Sequence, residues 1–89
     1  MTNRIFTDRD GACWARVSKR RARSAYNAGH TIRLAPSNMH PFGPWPIYAE
    51  INIKFGASFN ERINAFEYYN CSNKNGKYAA YYVRSEVLE

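Results

Sequence analysis

Apolar and polar positions alternate most cleanly over Ile47-Tyr-Ala-Glu-Ile-Asn-Ile-Lys54. Ile47, Ala49, Ile51 and Ile53 fall on one side there, and Tyr48, Glu50, Asn52 and Lys54 on the other. A period of two sustained over that length predicts a half-buried β-strand. Thr31-Ile-Arg-Leu-Ala35 repeats the pattern with Ile32 and Leu34 inward. Between Val17 and Gly29 the period changes to that of a helix. Ala22, Ala25 and Tyr26 share one face, Arg20, Arg23, Ser24 and Asn27 take the opposite one, and Lys19 and Arg21 flank. Both ends are punctuated: Ser18 is a good N-cap and Gly29 a good C′ residue. Val17 and Ala22 have the spacing of a weak hydrophobic staple. A helix that docks through alanines can lie close to a sheet.

Two signals compete further on. Ser58-Phe-Asn-Glu61 has the form of a capping box, and Phe59, Ile63 and Phe66 follow helical spacing. Asn75-Gly76, however, separates two aromatic-rich runs, which is a strong hairpin signal. The pattern is read as a helical turn at 59–63, then a hairpin of roughly 65–72 and 77–84. That register sends Phe66, Tyr68, Tyr81 and Val83 to the core, and Glu67, Tyr69, Cys71, Tyr78, Tyr82 and Arg84 outward. Residues 1–11 are polar, with an Asp10-Gly11 turn signal, and Ala12–Val17 reads as an extended lead-in that packs Trp14 on the core. All four prolines lie in Pro36–Pro46, which excludes helix and sheet interior and predicts a stiff loop. The expected fold is a single α+β domain over residues 1–89. One short basic helix packs on a small antiparallel sheet of three to four strands that ends in a C-terminal hairpin.

Charge sharpens this picture. The net charge is +6, and residues 1–40 carry all of it: eight Arg or Lys stand against two Asp there, while residues 41–89 balance five against five. Seven of those eight are arginines, suited to forked recognition of phosphate or carboxylate. Lys19, Arg20 and Arg21 fall in the first helical turn, where the helix dipole disfavours positive charge by about 0.3–1 kcal/mol each. Either Asp8 or Asp10 folds back to compensate, or that turn is kept for an anionic partner.

Catalytic and metal chemistry find little support. Cys13, His30, His40 and Cys71 are the candidate ligands, but no C-x-x-C or H-x₃-H spacing joins them. No Gly-rich phosphate loop is present, and the expected class is a non-enzymatic module with no cofactor and no metal. A disulfide between Cys13 and Cys71 is unexpected for a chain read as cytoplasmic. That location follows from an N-terminus without a signal-like apolar core and from the lack of any membrane-length apolar run. The leading candidate surface joins phosphate contacts by Lys19, Arg20, Arg21, Arg23 and Asn27 to base stacking on Tyr69, Tyr78 or Tyr82 beside Arg84. The alternative is a protein-binding surface in which Phe42 and Trp45, held by flanking prolines, act as anchors together with the tyrosine face. Each has a plainer reading as well: a solvated charged face, half-buried sheet tyrosines, and a loop folded over its own core.

Three stretches carry a resemblance: Val17-Ser-Lys-Arg-Arg-Ala-Arg with Tyr26-Asn-Ala-Gly29, Leu34-Ala-Pro-Ser-Asn-Met-His-Pro41 followed by Trp45, and Phe66-Glu-Tyr-Tyr-Asn-Cys71. Together the chain resembles small uncharacterised accessory proteins of phages and integrative mobile elements of Gram-positive bacteria. The resemblance implies no catalytic residues. It implies accessory roles: nucleic-acid binding, or inhibition of a host defence protein in the manner of an anti-CRISPR.

Overall fold

Among the described residues, alternation, capping and turn chemistry build five strands and two helices, in the order β1 (Ile5–Thr7), β2 (Cys13–Val17), α1 (Lys19–Asn27), β3 (Ile32–Pro36), β4 (Ala49–Ile51), α2 (Phe59–Phe66) and β5 (Ala79–Arg84). The computed structural model describes residues 5–38, 47–71 and 78–88. One sheet of order β1-β2-β5-β3-β4 is antiparallel at every pairing. β2 and β3 therefore run parallel, with β5 inserted between them, and β2-α1-β3 is a split βαβ unit.

The α+β class and the basic helix agree with the sequence pattern, but the sheet has five strands, not three or four. The extra strand is β1. The Asp10-Gly11 signal marks its hairpin to β2, where Asp8 Oδ1 accepts from the amides of Asp10 and Ala12 (both 2.9 Å) and Gly11 takes φ +85°. β4 is shorter than Ile47–Lys54. Asn52 ends it, accepting from the Lys54 amide (3.0 Å) and donating to the Gly29 carbonyl (3.1 Å) and Thr31 Oγ1 (3.0 Å). The chain then makes a 3₁₀ turn, Ile53–Phe55, and Ile53 is exposed instead of inward.

The C-terminal hairpin is the main correction. Ser58 and Glu61 form the full capping box, and α2 continues through a π-helical turn, Glu67–Cys71. The first arm of the expected hairpin is thus helical, while its second arm is β5. One extra residue per turn explains the buried positions: Phe66 and Cys71, five apart, both face the core. Tyr68, assigned to the core, is 73% exposed. Glu67 fastens the helix end to the sheet by accepting from the Ala79 amide (2.9 Å). Asn75-Gly76 lies outside the described residues.

β5 is central, so both of its faces are covered. Tyr81 and Val83 join Ile32, Leu34, Ala22, Ala25, Tyr26, Phe59, Ile63 and Phe66 in the core between sheet and helices. Tyr82 and Ala80 join Trp14 and Ala35 on the other face, flanked by Phe6. Burial there overturns the outward assignment of Tyr82, which is 3% exposed with its ring edge-to-face with Phe6 at 5.6 Å.

The connection into α2 stores local strain. Gly56 and Ala57 both have positive φ, +85° and +69°. A left-handed conformation disfavours any residue with a Cβ by about 1–2 kcal/mol. Ala57→Gly is therefore expected to stabilise the protein by about 0.5–1 kcal/mol once the greater freedom of glycine in the unfolded chain is subtracted. Urea denaturation measures this, and a destabilised variant would contradict it.

Candidate nucleic-acid interface

α1 follows its sequence closely. Ser18 Oγ accepts from the Arg21 amide (3.2 Å). At the other end Gly29 (φ +98°) donates to the Tyr26 carbonyl and His30 to the Ala25 carbonyl, both at 3.0 Å, the paired bonds of a Schellman motif. Ala22, Ala25 and Tyr26 are buried, which leaves Lys19, Arg20, Arg21, Arg23 and Asn27 exposed on the outer side.

The charges of this face are not neutralised from within. The first turn of α1 contains no acidic residue. Asp8 does not fold back to it: Asp8 Oδ2 accepts from the Trp14 indole (2.9 Å) and lies 3.6 Å from Arg33. Glu50 is committed to Arg33, Glu61 to its capping box, Glu67 to the Ala79 amide and Glu86 to Arg84, and Asp10 stays in the β1–β2 turn without an ion pair to α1. Among the described residues, no carboxylate lies within 4 Å of Lys19, Arg20, Arg21 or Arg23. Arg23 instead donates to Asn60 Oδ1 (3.3 Å) and lies over the Phe59 ring at 5.7 Å, tying α1 to the start of α2.

The predicted tyrosine platform is rearranged. Tyr69 is 72% exposed and Tyr78 is exposed, but Tyr82 is buried on the opposite face of the sheet. Arg84 is on that opposite face too, paired with Glu86 at 3.4 Å and 5.8 Å from the Trp14 ring. It does not stand beside the tyrosines. Tyr68 takes the vacated role: its ring meets that of Tyr69 edge-on at 4.9 Å. Phe42 and Trp45 lie outside the described residues.

Arg33 does not belong to the basic surface. It is 6% exposed and sits across from Glu50 and Tyr82 in the sheet register. Its guanidinium lies between the rings of Trp14 (4.6 Å) and Tyr48 (4.2 Å). The readable signal was Glu50 on the outward side of β4; Asp8 of the β1–β2 turn and Trp14 of β2 are non-local partners.

Cys13 and Cys71 are free thiols. Burial pushes the Cys71 thiol up, and the nearby Glu67 charge adds to the effect. Burial likewise pushes the Tyr81 hydroxyl up to about 12. Among the described residues no three His, Cys, Asp or Glu side chains converge as metal ligands, and His40 lies outside them. No described helix is long and apolar enough to cross a membrane. An open cleft of about 500 Å³ between Trp14, His30, Glu50, Arg84 and Glu86 carries both signs of charge, so it selects neither anion nor cation. No protein-family model, curated protein or solved structure matches the chain.

Proposed function

We propose that the protein is a small non-enzymatic binding module whose α1 docks on nucleic-acid phosphates. The observation that carries this reading is the outer face of α1, where four cations are exposed while the carboxylates of Asp8, Glu50, Glu61, Glu67 and Glu86 are held elsewhere. Such a face keeps the dipole-opposed charges of the first turn only at a cost in helix stability, and an anionic partner offsets that cost. Guanidinium groups give it forked contacts to phosphate oxygens. The resemblance to accessory proteins of phages and mobile elements agrees with a module of this kind. The alternative is a protein-interaction module or inhibitor of a host defence protein that uses the Pro/Trp loop and the tyrosine face; Phe42 and Trp45 lie outside the described residues, whereas the exposed cations of α1 support the nucleic-acid reading.

Fluorescence anisotropy with labelled oligonucleotides tests it. Four phosphate contacts give a slope of log affinity against log salt of about −3 on single strands and about −4 on duplex. Arg20→Ala combined with Arg23→Ala is expected to halve that slope and to weaken binding at low salt by about tenfold or more. Absence of binding at low salt, or a double variant that binds like the parent, would overturn the reading.

A further inference from the structure

The second helix adds a chemistry that phosphate contacts alone do not use. Tyr68 and Tyr69 follow one another in the π-helical turn and are 73% and 72% exposed. The turn itself puts them there, because Phe66 and Cys71 take the buried side and leave the intervening rings in solvent. Their rings meet edge-to-face at an interplanar angle of 86°, with centroids 4.9 Å apart. The bond from the Ala79 amide to Glu67 brings the exposed Tyr78 to the same corner of the molecule.

This corner lies along α2 from its tie to the basic helix: Asn60 is in the first turn, and Tyr68 and Tyr69 follow at the other end, about 12–14 Å along a helix axis, a span that a few nucleotides of single strand bridge. α1 and α2 cover the same face of the sheet and contribute to one core, so their exposed side chains look out from one layer. Arg23 bonds to Asn60 on α2, which fixes the two helices side by side at that end. Glu67 keeps its negative charge at this corner, bonded to the Ala79 amide, so the phosphates are assigned to the cations of α1 and only bases to the tyrosines.

Cations beside exposed aromatic rings suit a polyanion that also presents flat faces. A duplex hides those faces inside its stack, whereas a single strand offers them. An acidic protein surface would also satisfy cations and tyrosines, and the nucleic-acid probes below separate that outcome. Resting on the proposed nucleic-acid reading, we infer that the ligand is single-stranded nucleic acid, with its phosphates on Arg20, Arg21 and Arg23 and unpaired bases stacked on Tyr68 and Tyr69.

The test uses the full chain and three labelled probes of equal length, about 15 nucleotides, which suits the site sizes of single-strand binders. They are an oligothymidine, an abasic deoxyribose-phosphate strand and a mixed-sequence duplex. Oligothymidine is expected to bind about tenfold or more tighter than the abasic strand and the duplex. Tyr68→Ala with Tyr69→Ala should remove that preference, weakening oligothymidine about tenfold or more while the salt slope stays unchanged. Tyr68→Phe with Tyr69→Phe should retain it, because stacking uses the ring and not the hydroxyl. Circular dichroism melting of each variant verifies the fold, to which these exposed rings contribute little. Equal binding of all three probes, or an alanine variant that still prefers oligothymidine, overturns the stacking inference and leaves the cationic reading standing. Failure of every probe at low salt, with or without capture of an acidic protein, overturns both.

Discussion

Arg33→Ala is expected to lower the unfolding free energy by about 3–4 kcal/mol, a large share of the roughly 5–15 kcal/mol typical of a small domain. The side chain is 8% exposed, and its Nε and Nη2 donate to one oxygen of Glu50 at 3.1 and 2.6 Å. Truncation removes this pair, opens a void between Trp14 and Tyr48, and withdraws the cation 3.6 Å from Asp8. Arg33→Lys keeps the charge but loses the planar fork between two rings, so a loss of about 1–2 kcal/mol is expected. Glu50 is 39% exposed, so water screens its charge, and Glu50→Gln should cost less than Arg33→Ala. Urea denaturation of the three variants gives the order, and a loss below about 1 kcal/mol for Arg33→Ala would remove the arginine from the list of structural supports.

The same cluster sets an acid dependence. The Trp14 indole, the Ala12 and Asp10 amides and the Arg33 charge, in that order, hold the Asp8 carboxyl below its ordinary 3.8, against the opposing effect of desolvation. A lowered folded pKa means that the unfolded state takes up the proton first. Asp8 therefore contributes its stability in full above its unfolded value of about 4, and loses it as pH falls through the lower folded value. The parent should lose stability over that window, and Asp8→Asn should flatten the profile there.

Tyr26→Ala is the second large effect, at about 4 kcal/mol. Tyr26 is fully buried, with its ring 5.5 Å from that of Phe59, and its hydroxyl donates to the Ala57 carbonyl at 2.9 Å. Most of its contribution is the packed ring. Tyr26→Phe keeps the ring and leaves a carbonyl in an exposed loop, which water can reach, so about 1 kcal/mol is expected. Equal losses for the two variants would show that the hydroxyl, and not the ring, joins α1 to the start of α2. Chemical denaturation with unchanged slope separates these outcomes.

Features set by residues close in sequence were legible. Ser18 with Arg21, Gly29 with Tyr26, and Ser58 with Glu61 are contacts across a few positions, and all form as their spacing demands. The arginine face of α1 was legible for the same reason. What could not be read depends on other strands. Arg33 is an outward residue of an alternating strand until Asp8, Trp14, Tyr48 and Glu50 arrive from three other parts of the chain. Tyr68 and Tyr69 carry strand-forming side chains, and a π-helical turn has neither the period of a strand nor that of an α-helix. The capping box at Ser58 was the better guide there, and the hairpin signal drew the reading away from it.

Among the described residues, the strand at the middle of the sheet is the last in sequence order. β1 with β2 and β3 with β4 can pair as they emerge, but each pair presents a bare inner edge until β5 fills the gap. Until β5 pairs, the two inner edges stay open in addition to the outer ones, an arrangement prone to pair with the wrong neighbour. Completion waits on contacts far apart in sequence, which makes folding slow relative to a helical protein of this size. The order of the strands thus defers closure of the sheet until β5 is in place.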